Sequence, residues 1–181
     1  MGYEGTAAKY YFQGLSKLVD REFQFSGRSK RPPRDPFNAL LSLGYTIVFY
    51  EIYAELENQN IHPYISFVHS IKERHPALVS DLLEEWRAVI VDSTVISLVQ
   101  GHEIKIDMFT TDEETGGVII SNQGVRLLVH KLESKMASKM NYLEYLDHPT
   151  GFRRGIWWQV RMLAQGIDSG DISKYKPIRI R

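Results

Sequence analysis

The chain has 181 residues, with 22 basic and 22 acidic side chains in formal balance and no cysteine. That length suffices for one well-buried domain, and the lack of thiols excludes a disulfide framework or a thiolate zinc site, leaving oxygen and imidazole as metal donors. With no run of about 18 uncharged apolar residues and no basic-then-apolar leader pattern, the sequence reads as a cytoplasmic protein with no membrane contact.

Residues 4–20 carry Tyr11, Leu15 and Leu18 three to four apart, which predicts a helix with Glu4 in its first turn. Pro32, Pro33 and Pro36 keep the segment from Gly27 to Pro36 from being helical throughout, so it reads as a stiffened loop. Asp35-Pro36 is a good helix start, and Leu40, Leu41, Ile47, Val48, Ile52 and Tyr53 make the following stretch to about Glu57 a largely apolar core helix.

Pro63 and the apolar residues after it suggest a short helix bearing His69. Pro76 suits the first turn of another that runs past Arg87. Val79, Leu82, Leu83, Trp86 and Ile90 are its expected buried stripe. Asp81, Glu84 and Glu85 fall within about one-third of that helix's circumference and are expected to converge on one point. Ile104, Ile106 and Met108 alternate with polar neighbours and, with Val118-Ile119-Ile120, suggest a small hairpin near 103–120. Further helices near 122–140 and 151–166 complete a mostly α, multi-helix domain over 1–166. An irregular basic tail follows over 167–181.

The zero net charge hides a segregated surface, and any nucleic-acid contact must be local. Basic residues cluster at Arg28, Lys30, Arg31 and Arg34, at Arg153, Arg154 and Arg161, and at Lys174, Lys176, Arg179 and Arg181. A divalent ion acting on a phosphodiester calls for carboxylates supplemented by an imidazole, and Glu4, His69 and Glu84 meet that requirement. Such donors favour magnesium or manganese, with the histidine tipping the choice toward manganese. Asp81, one turn from Glu84, either ligates directly or orients a bound water. Taken singly, each has a plainer explanation: Glu4 as a first-turn acid, Asp81 and Glu84 as a solvated face, His69 as a core hydrogen-bonder.

Five ordered motifs go further: Glu4-Gly5-x-Ala7-Ala8-x-x-Tyr11-Phe12, Arg28-x-x-Arg31-Pro32-Pro33-x-Asp35-Pro36-x-Asn38-Ala39-x-Leu41-Ser42-x-Gly44-Tyr45, Pro63-Tyr64, Phe67-x-His69 and Asp81-Leu82-x-Glu84-x-x-Arg87. In this order they resemble the helical catalytic domain of the CRISPR-associated adaptation integrases, the Cas-one proteins. The match is tight from Tyr3 to about Asp92. It is looser through Gly116-Gly117, Gly124-Val125 and Tyr175-x-Pro177.

The resemblance implies that Glu4, His69 and Glu84 hold a catalytic Mg2+ or Mn2+, with Asp81 as the adjoining acidic position. It implies an endonuclease and integrase of spacer acquisition, in which the 3′-hydroxyl of a double-stranded DNA protospacer attacks a phosphodiester at the edge of a CRISPR repeat. The implied partners are that DNA, the small adaptation protein called Cas-two, and a second copy in the full-length homodimer. Arg28, Arg31 and Arg34 are the first expected phosphate contacts. Asn38, Ser42 and Tyr45 either line the site at helical spacing or pack, and Arg153 and Arg154 beside Trp157 and Trp158 either offer charge and stacking to DNA ends or belong to a core helix.

His62, His75, His102, His130 and His148 match no motif and are not expected ligands, and the His-Asp pair of helical phosphohydrolases is missing. The family's N-terminal β-rich domain is absent from this sequence, and Glu4 stands in a first turn, where helices fray. Weakened metal binding is therefore expected in this form. The competing reading is a catalytically silent helical DNA-binding or assembly fragment.

Overall fold

The computed structural model describes residues 2–68 and 75–178, apart from the Glu4 side chain. The chain divides into two compact units, Met1–Tyr45 with Val91–Leu132, and Thr46–Ile90 with Glu133–Arg181. Both are helical, each with one small antiparallel two-stranded sheet.

The first unit opens with α1, Tyr3–Ser16. Its buried side chains are Phe12 and Leu15, whereas Tyr11 and Leu18 are 41% and 54% exposed, so the inward stripe lies one residue round from the expected Tyr11–Leu15–Leu18 line. Ser16 stops the helix and turns the chain: its hydroxyl donates to the Phe25 carbonyl at 2.6 Å and accepts from the Phe25 amide at 3.2 Å. A 3-10 turn over Arg21–Phe23 buries Phe23, and Phe25 stacks on Phe37 at 4.6 Å between ring centroids. The helix α2, Pro36–Asn58, begins in this unit. It is long and apolar enough to cross a membrane by length and composition. Yet Leu40, Leu41, Val48, Ile52 and Leu56 are all within 1% of complete burial, which marks it as the core helix the pattern predicts.

The helix α4, Ser93–Gln100, completes the helical core of this unit with the first part of α5, Asn122–Ala137. The hairpin pairs β1, Phe109–Thr111, with β2, Val118–Ile120, in the register Phe109–Ile120, Thr110–Ile119, Thr111–Val118. Its first strand thus starts after Met108, and the alternating Ile106–Met108 stretch is a 3-10 turn. The connecting loop sets that register: Asp112 accepts from both the amide and the hydroxyl of Thr115 at 2.7 Å, and Gly116 takes φ +63°, which favours glycine.

In the second unit α3 spans Ala77–Glu84, and a π-helical stretch, Arg87–Asp92, follows it. The single helix expected past Arg87 is therefore broken in two, although Val79, Leu82, Leu83, Trp86 and Ile90 are all buried as the stripe requires. Residues 61–68 form turns and bends, and the helix expected there to carry His69 is not seen as far as Val68, with His69 itself outside the described residues. The strands β3, Lys139–Met140, and β4, Thr150–Gly151, pair beyond α5, where the sequence suggested continued helix.

The helix α6, Phe152–Ser169, buries Phe152, Gly155, Ile156, Gln159, Val160, Leu163 and Gly166 at three- and four-residue spacing. It ends in a left-handed Gly170 at φ +64°, with the Asp171 amide returning to the Gly166 carbonyl at 3.0 Å. In the tail, as far as Ile178, a 3-10 turn over Ile172–Lys174 leads into Tyr175, whose hydroxyl meets Gln159 and Glu85.

Candidate functional site

The acidic segment of the second unit is built on α3. The Leu78 amide donates to the Pro63 carbonyl at 3.0 Å, which ties the start of the helix to the preceding turn. From there the three acids expected to converge take different partners. Asp81 Oδ2 accepts from the Ser66 hydroxyl at 2.7 Å, the Phe67 amide at 2.8 Å and the Val68 amide at 3.2 Å. Glu85 accepts from the Tyr175 hydroxyl and, at 2.8 Å, from the Ile178 amide.

Glu84 projects to solvent, its side chain 49% exposed, and accepts from Arg87 Nη1 at 2.5 Å. Consecutive helical residues point about 100° apart, so Glu84 and Glu85 leave the helix on different sides. Convergence of all three on one point is thereby corrected.

An ion pair as exposed as Glu84–Arg87 contributes at most about 1 kcal/mol, so the Glu84 carboxylate remains available to a divalent ion. A carboxylate pair with one imidazole suits magnesium or manganese, and Glu84 is the member of the set whose geometry is described. The Glu4 side chain and His69 lie outside the described residues. Among the described residues no group of three or more histidines and carboxylates is placed to hold a metal.

The basic loop belongs to the first unit and is welded to the start of α2. Asn38 is completely buried: its own amide donates to Asp35 Oδ1 at 2.7 Å, while its side-chain nitrogen donates to Asp35 Oδ2 at 2.7 Å and the Gly27 carbonyl at 2.8 Å. Its oxygen accepts from the Ser29 amide and from Arg28 Nη1 at 2.8 Å. Arg28 also donates to Ser42 Oγ at 3.0 Å and lies 5.4 Å from the centre of the Tyr45 ring.

Arg28, named from sequence as a DNA contact with Asn38 and Ser42, thus bonds both of them at the start of α2, and the buried Asn38 has no surface to offer a phosphate. Arg31 and Arg34 are the exposed loop arginines. Arg34 Nη1 donates to the Thr115 carbonyl at 2.7 Å, which holds its guanidinium beside the hairpin loop. The phenols of Tyr11 and Tyr45 both donate to Asp92, a carboxylate only 2% exposed.

On α6 the two adjacent arginines do different work. Arg153 bonds Glu51 at 3.0 Å and Glu133 at 3.0 Å, and these hydrogen bonds, Glu51 first, hold its guanidinium charged even beyond the ordinary arginine range. Arg154 lies over Trp157 at 3.7 Å from the ring centre, with Trp158 5.9 Å away. Both tryptophans are half-buried, so neither is plain core. Beside Glu85, burial first and then that carboxylate push the Tyr175 phenol far above the usual range. The roles of Asp92 and Ser66 and the partners of Glu85 left no sign in the sequence, because nothing in spacing tells which distant donor a carboxylate will accept from.

Fold and site define a helical protein with an exposed carboxylate, Glu84, in one unit and a hydrogen-bonded, arginine-bearing loop in the other. The chain belongs to the CRISPR associated protein Cas1 family, whose profile matches residues 1–134. It is 35% identical over 179 residues to a CRISPR-associated endonuclease Cas1 of Mycobacterium tuberculosis, covering 99% of this chain and 53% of the relative. It therefore spans about half the length of that relative. Among solved structures it resembles a casposase bound to integration product, with TM-score 0.84 and 26% identity over 98% of this chain and 51% of that one. It also resembles part of a Cas6-RT-Cas1–Cas2 complex, with TM-score 0.85 and 26% identity over 98% of this chain and 19% of that one.

Proposed function

We propose that this chain is the catalytic part of a divalent-metal-dependent DNA endonuclease and integrase that inserts new spacers into a CRISPR array. The observation that carries the reading is the family match over residues 1–134, which spans all three donor positions, Glu4, His69 and Glu84. Likeness to a casposase bound to integration product and to a Cas6-RT-Cas1–Cas2 complex supports DNA and the small adaptation protein Cas-two as partners. A cytoplasmic setting and a homodimer of the full-length protein accompany this reading.

Glu4, His69 and Glu84 would hold Mg2+ or Mn2+, which when bound neutralises a phosphoryl oxygen and lowers the barrier to displacement. The remaining work falls to the chain's own groups. Arg31 and Arg34, fixed by the loop that Arg28 and Asn38 brace, meet the DNA backbone and position it. Arg154, already stacked on Trp157, adds charge and an aromatic face for a strand end.

Strand joining tests the reading. A short duplex with a free 3′-hydroxyl is incubated with branched repeat DNA, Mn2+ and this chain, with Glu4→Ala, His69→Ala and Glu84→Ala in parallel. Joining or cleavage that falls at least about 100-fold in each variant supports the enzyme. Equal activity in all variants contradicts it, and DNA binding with no chemistry in any protein favours the assembly-fragment reading.

A further inference from the structure

We infer that Asp81 is a positioning residue: its carboxylate anchors the Ser66–Val68 backbone that leads directly into His69. The inference rests on the proposed role of His69 and Glu84. One oxygen, Oδ2, takes the Ser66 hydroxyl and the Phe67 and Val68 amides at 2.7, 2.8 and 3.2 Å. A carboxylate oxygen that accepts three donors has its lone pairs committed, and an ion placed on it would have to displace all three.

Among the described residues, apolar packing adds little to this anchor. Ile65, Phe67 and Val68 are 61%, 63% and 80% exposed, so apolar burial does not hold this stretch. What holds it is the charged acceptor on α3, one turn before Glu84. Because Asp81 and Glu84 share that helix, the same rigid element presents one donor and steers the chain that carries the other. Anchoring Phe67 and Val68 from the helix that bears Glu84 ties the approach to position 69 to that helix.

The two roles separate under Asp81→Asn. The asparagine oxygen still accepts from the Ser66 hydroxyl and both amides, but it is a neutral and much poorer ligand for a hard cation. Amide hydrogen exchange at Phe67 and Val68 is measured first, without metal. Exchange is expected to speed up about tenfold or more in Asp81→Ala, by less in Ser66→Ala, and to stay near that of the parent chain in Asp81→Asn. Mn2+ affinity and strand joining are then expected to fall about 10- to 100-fold in Asp81→Ala and to recover in Asp81→Asn.

Loss of Mn2+ binding in Asp81→Asn equal to that in Asp81→Ala would overturn the positioning role, as would unchanged exchange at Phe67 and Val68 in Asp81→Ala. Thermal melting of each variant identifies any that fail to fold, and Ser66→Ala then carries the exchange test. If His69→Ala and Glu84→Ala leave Mn2+ binding and joining intact, the catalytic reading fails while the exchange data still report on the anchor.

Discussion

Gln159 shows how one buried amide organises the polar interior of the second unit. It is 1% exposed: its oxygen accepts from the Trp86 indole nitrogen at 2.8 Å, and its nitrogen donates to the Leu82 carbonyl at 3.3 Å and to Tyr175 at 3.2 Å. Leucine fills a similar volume yet leaves the Trp86 N–H with no acceptor. Gln159→Leu is expected to destabilise the protein by about 1–3 kcal/mol, read as a lower urea midpoint with an unchanged slope. An unchanged midpoint would show that the Trp86 donor finds another partner. The apolar side of this region was legible in sequence, since Val79, Leu82, Leu83, Trp86 and Ile90 follow helical spacing and all are buried. The polar side was not. Periodicity places Asp81, Glu84 and Glu85 on one arc but is silent about Ser66, Arg87 and Tyr175, whose arrival depends on the tertiary fold.

At the scale of elements, close approach of backbone to side chain explains a glycine inside the core helix. A Cβ built on Gly44 would stand 2.6 Å from Val91 Cγ1. Val91 is β-branched and fully buried, so it has few ways to yield. Alanine is favoured over glycine in a helix by about 1 kcal/mol, but overpacking typically costs about 1–3 kcal/mol. Gly44→Ala is therefore expected to lower the melting temperature, and a rise would mean that α2 shifts away without strain. Element boundaries show what sequence pattern resolves. Proline and the long apolar run placed α2 well, because both act locally. The break between α3 and the π-helical stretch was invisible, since the stripe continues through Trp86 to Ile90 across it. The hairpin slipped because the Asp112–Gly117 loop, and not the alternation of Ile104, Ile106 and Met108, sets which residues pair.

For the whole molecule, the motifs that placed the chain in its family are of two physical kinds. Asn38, Asp35 and Arg28 brace the loop from within, whereas Arg31, Arg34, Arg154 and Glu84 remain exposed. Sequence resemblance treats both kinds alike, and only burial and hydrogen bonding sort them. The neutral net charge fits this division, because positive charge is presented locally and does not pervade the surface. Under the proposed function Glu4, His69 and Glu84 together hold one divalent ion. Titration of Mn2+ by electron paramagnetic resonance into the full chain and the three alanine variants tests it most directly. A single site is expected in the parent chain, weakening at least about tenfold in each variant, in line with loss of a ligand. Affinity unchanged in all three variants would contradict it.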